Sequence, residues 1–64
     1  MEISELKQLE GKTVFFKSPY GDIQEVKIEY IMVHARIVRY SINGMTFTGF
    51  AGEFFKSMED AKNA

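Results

Sequence analysis

Residues 36 to 50 read Arg36-Ile37-Val38-Arg39-Tyr40-Ser41-Ile42-Asn43-Gly44-Met45-Thr46-Phe47-Thr48-Gly49-Phe50, and this stretch decides the fold. At its centre stands Asn43-Gly44. A two-residue type I′ turn needs positive φ at both central positions, and Asn followed by Gly reaches that conformation at the least steric cost. The flanks are β-branched and aromatic, as strands require. A turn of this type also sets the register. Ile42 opposes Met45, Tyr40 opposes Phe47 and Val38 opposes Gly49 on one face, while Ser41, Arg39 and Ile37 oppose Thr46, Thr48 and Phe50 on the other.

Upstream, Val26, Ile28 and Tyr30 alternate with Glu25, Lys27 and Glu29, which reads as a strand with one buried and one wet face. Its join to the next strand carries a weaker signal. Ile31-Met32-Val33 is apolar throughout, and His34-Ala35-Arg36 contains no Gly, Asn or Pro, so a helix remains an alternative there. With a three-residue loop at His34 to Arg36, Met32 meets Val38, Tyr30 meets Tyr40 and Ile28 meets Ile42. A two-residue loop would oppose Tyr30 to Arg39. Only the three-residue register sets apolar on apolar, and it is the one expected.

Further upstream, the run from Lys12 through Thr13-Val14-Phe15-Phe16 forms another strand, turned at Ser18-Pro19-Tyr20-Gly21-Asp22. Residues Ser4 to Glu10 suit a short helix, with Ile3, Leu6 and Leu9 three apart, Ser4 as N-cap and Gly11 as the left-handed stop. At the other end Ala51-Gly52 breaks the sheet and Ser57 caps a helix from about Met58. So short a helix needs Met58, Ala61 and one of Phe54 or Phe55 packed on the sheet.

The expected fold class is therefore α+β: a four-stranded antiparallel meander with a short helix at each end, in one domain spanning residues 1 to 64. Curved rather than flat, such a sheet resembles the small SH3-like barrels in architecture alone, because no signature motif of that class stands in these residues. The chain belongs to no recognised family on its motifs. At 64 residues and with no cysteine, it has neither disulfides nor thiolate metal ligands to supplement a small core. Nine aromatic residues, six Phe and three Tyr, supply part of the missing burial. Self-association is a second source. The absence of cysteine fits a reducing compartment, so the expected location is the cytoplasm. No export signal and no membrane-spanning run is read from the chain.

Function is less legible than fold. GxSxG, HExxH, P-loop and GxGxxG motifs are all missing, and the single histidine, His34, has no partner at a recognisable spacing. One histidine and scattered carboxylates do not make a zinc site, and Glu59-Asp60 is accounted for by the helix dipole. We therefore expect no enzyme activity, no catalytic residue, no metal, no cofactor and no small-molecule ligand. Eight Lys and Arg against nine Asp and Glu leave a net charge of −1, which disfavours a polyanionic partner. A small β-sheet nucleic-acid-binding protein is the alternative, because Lys12, Lys17, Lys27, Arg36 and Arg39 lie among Phe15, Phe16, Tyr20 and Tyr40.

The most informative feature is the second sheet face. The expected register gathers Ile31, Val33, Ile37 and Phe50 there beside Arg36 and Arg39, an apolar patch with basic neighbours. These six residues are the candidate partner-binding surface, unless curvature or a terminal helix covers them. The functional expectation is a non-enzymatic protein-interaction domain, an accessory or inhibitor protein acting on a larger protein partner or as a homodimer.

Overall fold

A computed structural model describes all 64 residues. The strands are β1 (Thr13–Lys17), β2 (Ile23–Met32), β3 (Ile37–Ile42), β4 (Met45–Phe50) and β5 (Phe54–Phe55), with helices α1 (Ile3–Gln8) and α2 (Met58–Lys62) and a 3-10 turn over Ala51–Glu53. They form one antiparallel sheet of five strands in the order β4-β3-β2-β1-β5. The α+β class holds, but the meander gains a fifth strand. Phe54 pairs with Phe16 and Phe55 with Phe15, so these residues extend the sheet instead of merely packing against it.

The sheet stays open, since no ladder joins β4 to β5, yet it is sharply bent. Five flat strands at ~4.8 Å spacing would hold their edges ~19 Å apart. The four Cα steps from Phe50 to Phe54 reach at most about 14 Å even when extended, and the 3-10 turn shortens them. Curling the sheet reconciles the two lengths. Gly49 marks the closest approach: a Cβ there would lie 3.0 Å from Glu53 Oε1, 3.1 Å from Tyr40 and 3.3 Å from the Phe54 ring. The backbone nitrogen of Met1 donates to the carbonyls of Ala51 (3.1 Å) and Phe54 (2.9 Å), holding the turn on the concave side.

The β3–β4 hairpin follows the expected pairing rung by rung, from Ile42 with Met45 to Ile37 with Phe50. Asn43 and Gly44 take φ of 51° and 82°, the type I′ conformation. The β1–β2 turn is a closed loop in which Ser18 Oγ accepts from the amides of Tyr20 and Asp22, both at 3.2 Å, and Ser18 N donates to the Asp22 carbonyl. Gly21, at φ 95°, supplies its left-handed residue.

The β2–β3 register departs from expectation. Ile28 pairs with Tyr40, but Tyr30 pairs with Arg39, Ile31 with Val38 and Met32 with Ile37. One extra residue, Glu29, bulges from β2, and the connection is a four-residue turn closed by Arg36 N donating to the Val33 carbonyl. Because side chains alternate, a one-residue bulge swaps the faces beyond it. Val26 and Ile28 point inward before the bulge, Ile31 points inward after it, and Tyr30 turns out to solvent. This arrangement also sets apolar on apolar, by a route that a bulge-free ladder does not offer.

The concave side holds the core: Leu6, Val14, Val26, Ile28, Ile31, Val38, Tyr40 and Phe54, with Phe16 packed against them. Its aromatic centre is a cluster in which Tyr40 stacks on Phe16 at 5.1 Å and on Phe47 at 5.7 Å and meets Phe54 edge-on at 5.2 Å. Burial raises the pKa of the Tyr40 hydroxyl, and the nearby Glu53 carboxylate adds to the effect. Helix α1 closes this side through Leu6. Its N-cap is Glu2, two residues before the expected Ser4, and the amide of Glu2 donates to Glu5 Oε1 at 3.4 Å. The helix ends at Gln8 with Leu9 as C-cap, earlier than expected, so Gly11 is not its stop; its φ of 83° serves the turn closed by Lys12 N donating to the Leu9 carbonyl.

Beyond the bulge, β2 outruns β1, and Glu10 serves its free amide: Ile31 N donates to Glu10 Oε2 at 2.7 Å. That bond, followed by the Lys7 ammonium at 3.0 Å, holds the Glu10 carboxyl below its ordinary pKa. A folded-state pKa below the unfolded one gives stability that is complete above the ordinary glutamate range, near about pH 4.3, and lost as pH falls through the folded value. Thermal melts from pH 7 to pH 3 are therefore expected to show Glu10→Gln less stable than wild type at neutral pH, with the gap closing on acidification. Parallel profiles would remove the role given to Glu10.

Candidate protein-contact surface

Helix α2 covers only part of the convex face. Ser57 caps it as expected, Oγ accepting from Asp60 N at 3.1 Å, and Ala61 is fully buried yet lies outside the concave cluster. The helix packs on β1, β5 and the adjoining part of β2, and Lys17, which alternates with concave Phe16, donates to the Ala64 carbonyl at 3.0 Å. Phe15 and Phe55 oppose each other on this side. Met58, expected to pack on the sheet, remains substantially exposed.

Across β2, β3 and β4 the convex face has no such cover. Met32, Ile37 and Phe50 occupy one rung, and Tyr30, Arg39 and Thr48 occupy the next. Phe50 is 65% exposed, and Tyr30 and Met32 are also open to solvent. Val33 is exposed in the adjoining turn. The strip continues into an open groove of about 370 Å³ lined by Met1, Glu2, Ile3, Arg36, Phe50 and Ala51.

Five of the six candidate contact residues belong to this end of the molecule. Val33 and Arg36 lie in the β2–β3 turn, Ile37 and Arg39 on the convex face of β3, and Phe50 at the end of β4. Ile31 does not join them. It is 5% exposed and belongs to the core, because the Glu29 bulge turns it inward, and its place on the strip is taken by Met32. Sequence alternation missed Met32 and Tyr30 as convex residues for the same reason.

Two details mark the basic residues. Arg36 has φ 56°, a left-handed conformation that costs a residue with a Cβ about 1–2 kcal/mol and that glycine adopts freely. Arg39 Nη1 donates to Thr48 Oγ1, while its Nε is shut off from solvent without an acceptor. Ser41 Oγ donates to the carboxylate of the bulged Glu29, so the far end of the same face is polar.

His34 sits exposed in the β2–β3 turn. No three His, Asp or Glu side chains converge on a point where they would hold a metal ion. The aromatic residues suggested for a nucleic-acid platform are dispersed: Phe16 and Tyr40 stack in the concave core, Phe15 pairs with Phe55 on the other face, and Tyr20 projects from the β1–β2 turn. No helix is long and apolar enough to cross a membrane. Comparison with known protein families, with curated proteins and with solved structures finds no match to this chain.

Proposed function

We propose that the chain is a non-enzymatic protein-interaction module, an accessory or inhibitor protein that docks on a larger protein partner through the uncovered half of its convex face. The observation that carries this reading is the Met32–Ile37–Phe50 rung, apolar, solvent-facing and left bare by the helix that covers the other half of the same face. Contiguous apolar surface rimmed by polar residues favours partner binding in a monomer this small. Arg36 and Arg39 supply the rim. The strained backbone of Arg36 supports a functional reason for keeping a cation where glycine would fit better. The Arg39 guanidinium, whose Nη1 bonds Thr48 on the same face, supports a partner that brings an acceptor, a carboxylate or a main-chain carbonyl.

The likeness to a small SH3-like barrel is supported by the curl of the sheet and the 3-10 turn between its two edges, although the sheet itself is open. That architecture assigns no function by itself. The partner side is expected to present an apolar side chain to Phe50 and acidic groups to the two arginines.

Phe50→Asp tests the docking surface. Affinity capture from the native host with immobilised wild-type chain is expected to retain a protein that free wild-type chain displaces and free Phe50→Asp does not, at least about tenfold in competing concentration. Equal competition by the two would overturn the proposal.

A further inference from the structure

We infer that strand β4 is a self-pairing edge, and that two copies of the chain join their β4 strands antiparallel across a two-fold axis at Phe47. This goes beyond the docking of a larger partner. It uses a different surface, the rim of the sheet, and a different occupant, a second copy.

Strand β4 has β3 on one side and nothing on the other. In an antiparallel hairpin closed by a two-residue turn, alternate residues point their N–H and C=O at the neighbouring strand. Ile42 and Met45 flank the turn and form the first such pair, so Met45, Phe47 and Gly49 bond to β3. Thr46, Thr48 and Phe50 point their main-chain groups outward. The outward amide of Phe50 is already used, donating to Glu53 Oε1 at 2.8 Å. What remains is the N–H and C=O of Thr46 and of Thr48, four groups on one exposed edge.

Those four groups select a partner and a register. Placing Thr46 opposite Thr48 of a second copy satisfies all four on each chain with reciprocal bonds, and it does so around a two-fold axis. Sliding by one rung would pair Thr46 with Phe50, whose amide is taken. In the selected register Phe47 faces Phe47 of the second copy in a non-hydrogen-bonded pair, where side chains approach most closely. Met45 faces Gly49, the residue of the strand with no side chain to clash. The threonines meet on the convex side, a favourable cross-strand pair.

Nothing on the edge opposes this. Met45-Thr46-Phe47-Thr48-Gly49-Phe50 has no charge and no proline, whereas natural edge strands are commonly blunted by one or the other. The net charge of −1 adds little repulsion between copies. The monomer does not depend on the contact. Its accessible surface of 4313 Å² is close to the ~4,200 Å² typical of a compact 7.4 kDa chain, so pairing adds to a fold that stands alone.

Sedimentation equilibrium from micromolar to millimolar chain is expected to show a monomer–dimer equilibrium. Thr46→Pro removes an outward amide but no bond to β3, and is expected to weaken the dimer by about tenfold or more, two of four interchain bonds being lost, while Thr46→Val preserves it. Phe50→Asp is expected to leave it unchanged. In a chain without cysteine, Phe47→Cys places two thiols about 4.5 Å apart between Cα atoms, within disulfide range, and mild oxidation is expected to cross-link it while Met45→Cys stays single.

A wild-type chain that stays monomeric across the range overturns the proposal, even if a foreign extended peptide pairs with the edge. So does a Thr46→Pro chain that dimerises like wild type, or Met45→Cys cross-linking as readily as Phe47→Cys. Association lost in Phe50→Asp and kept in Thr46→Pro would move the contact to the convex face and overturn edge pairing while leaving the docking surface standing.

Discussion

Phe54→Ala is expected to remove most of the stability of the domain. Phe54 is 0% exposed, its ring lies 5.5 Å from Phe16 and 5.2 Å from Tyr40, and it faces Gly49 across the gap between the two edges of the sheet. Truncating a buried phenylalanine costs about 3–5 kcal/mol through lost transfer energy and the cavity left behind. A chain of this length has about 3–10 kcal/mol in total. The ring also ties β5 to β4, so its loss loosens the curl as well as the core. Chemical denaturation is expected to show a midpoint near zero denaturant, or a chain already unfolded at 25 °C. Phe55→Ala, on the other side of the same short strand, is expected to cost clearly less. A loss below about 1 kcal/mol in Phe54→Ala would mean that the edges of the sheet do not meet over this ring.

Ile31→Asp and Phe50→Asp, the same chemical change at two apolar residues, are expected to have opposite outcomes. Ile31 is in the core beside Val38, and a carboxylate there has no counter-charge, so the chain is expected to be unfolded at neutral pH. Burial would raise the pKa of the introduced acid in the folded state. Its proton then stabilises the fold fully below the unfolded pKa, near about pH 3.9, and the benefit is lost as pH rises through the folded value. Ile31→Asp is therefore expected to recover relative to Ile31→Asn on acidification. Phe50→Asp changes a mostly exposed side chain, and is expected to cost less than about 1 kcal/mol. Circular dichroism melts of these three variants and the wild-type chain at pH 3 and pH 7 check this. Folded Ile31→Asp at neutral pH would return Ile31 to the convex face and remove the Glu29 bulge.

The candidate contact surface was partly legible because it depends on the β3–β4 hairpin. Ile37, Arg39 and Phe50 are placed on the convex side by the register that Asn43-Gly44 imposes, and the structure keeps every rung of it. The bulge-free register places Val33 opposite Ile37 and Arg36 beside it, whereas Met32 holds that rung and both residues lie in the turn. Ile31 was misplaced because period-two alternation carries face assignments correctly only until a residue is inserted. Nothing in Glu29, an ordinary residue of the wet face, announces an insertion. The β2–β3 turn was equally opaque, since its left-handed residue is Arg36, where a turn is normally signalled by Gly or Asn.

Sequence alone determined the elements whose specification is local. The type I′ turn, the left-handed Gly21 and the Ser57 cap each follow from backbone torsions or hydrogen bonds within a few residues, so no distant contact had to be known. Only the tertiary structure decided the Glu29 bulge, the inward turn of Ile31 and the strand Phe54–Phe55. Each of these satisfies partners far along the chain: Glu10 accepts from Ile31 across 21 residues, and Phe54, near the other end of the chain, pairs with Phe16. A two-residue strand has too few side chains to show a period, and it exists because bending the sheet brings an unpaired edge of β1 within reach.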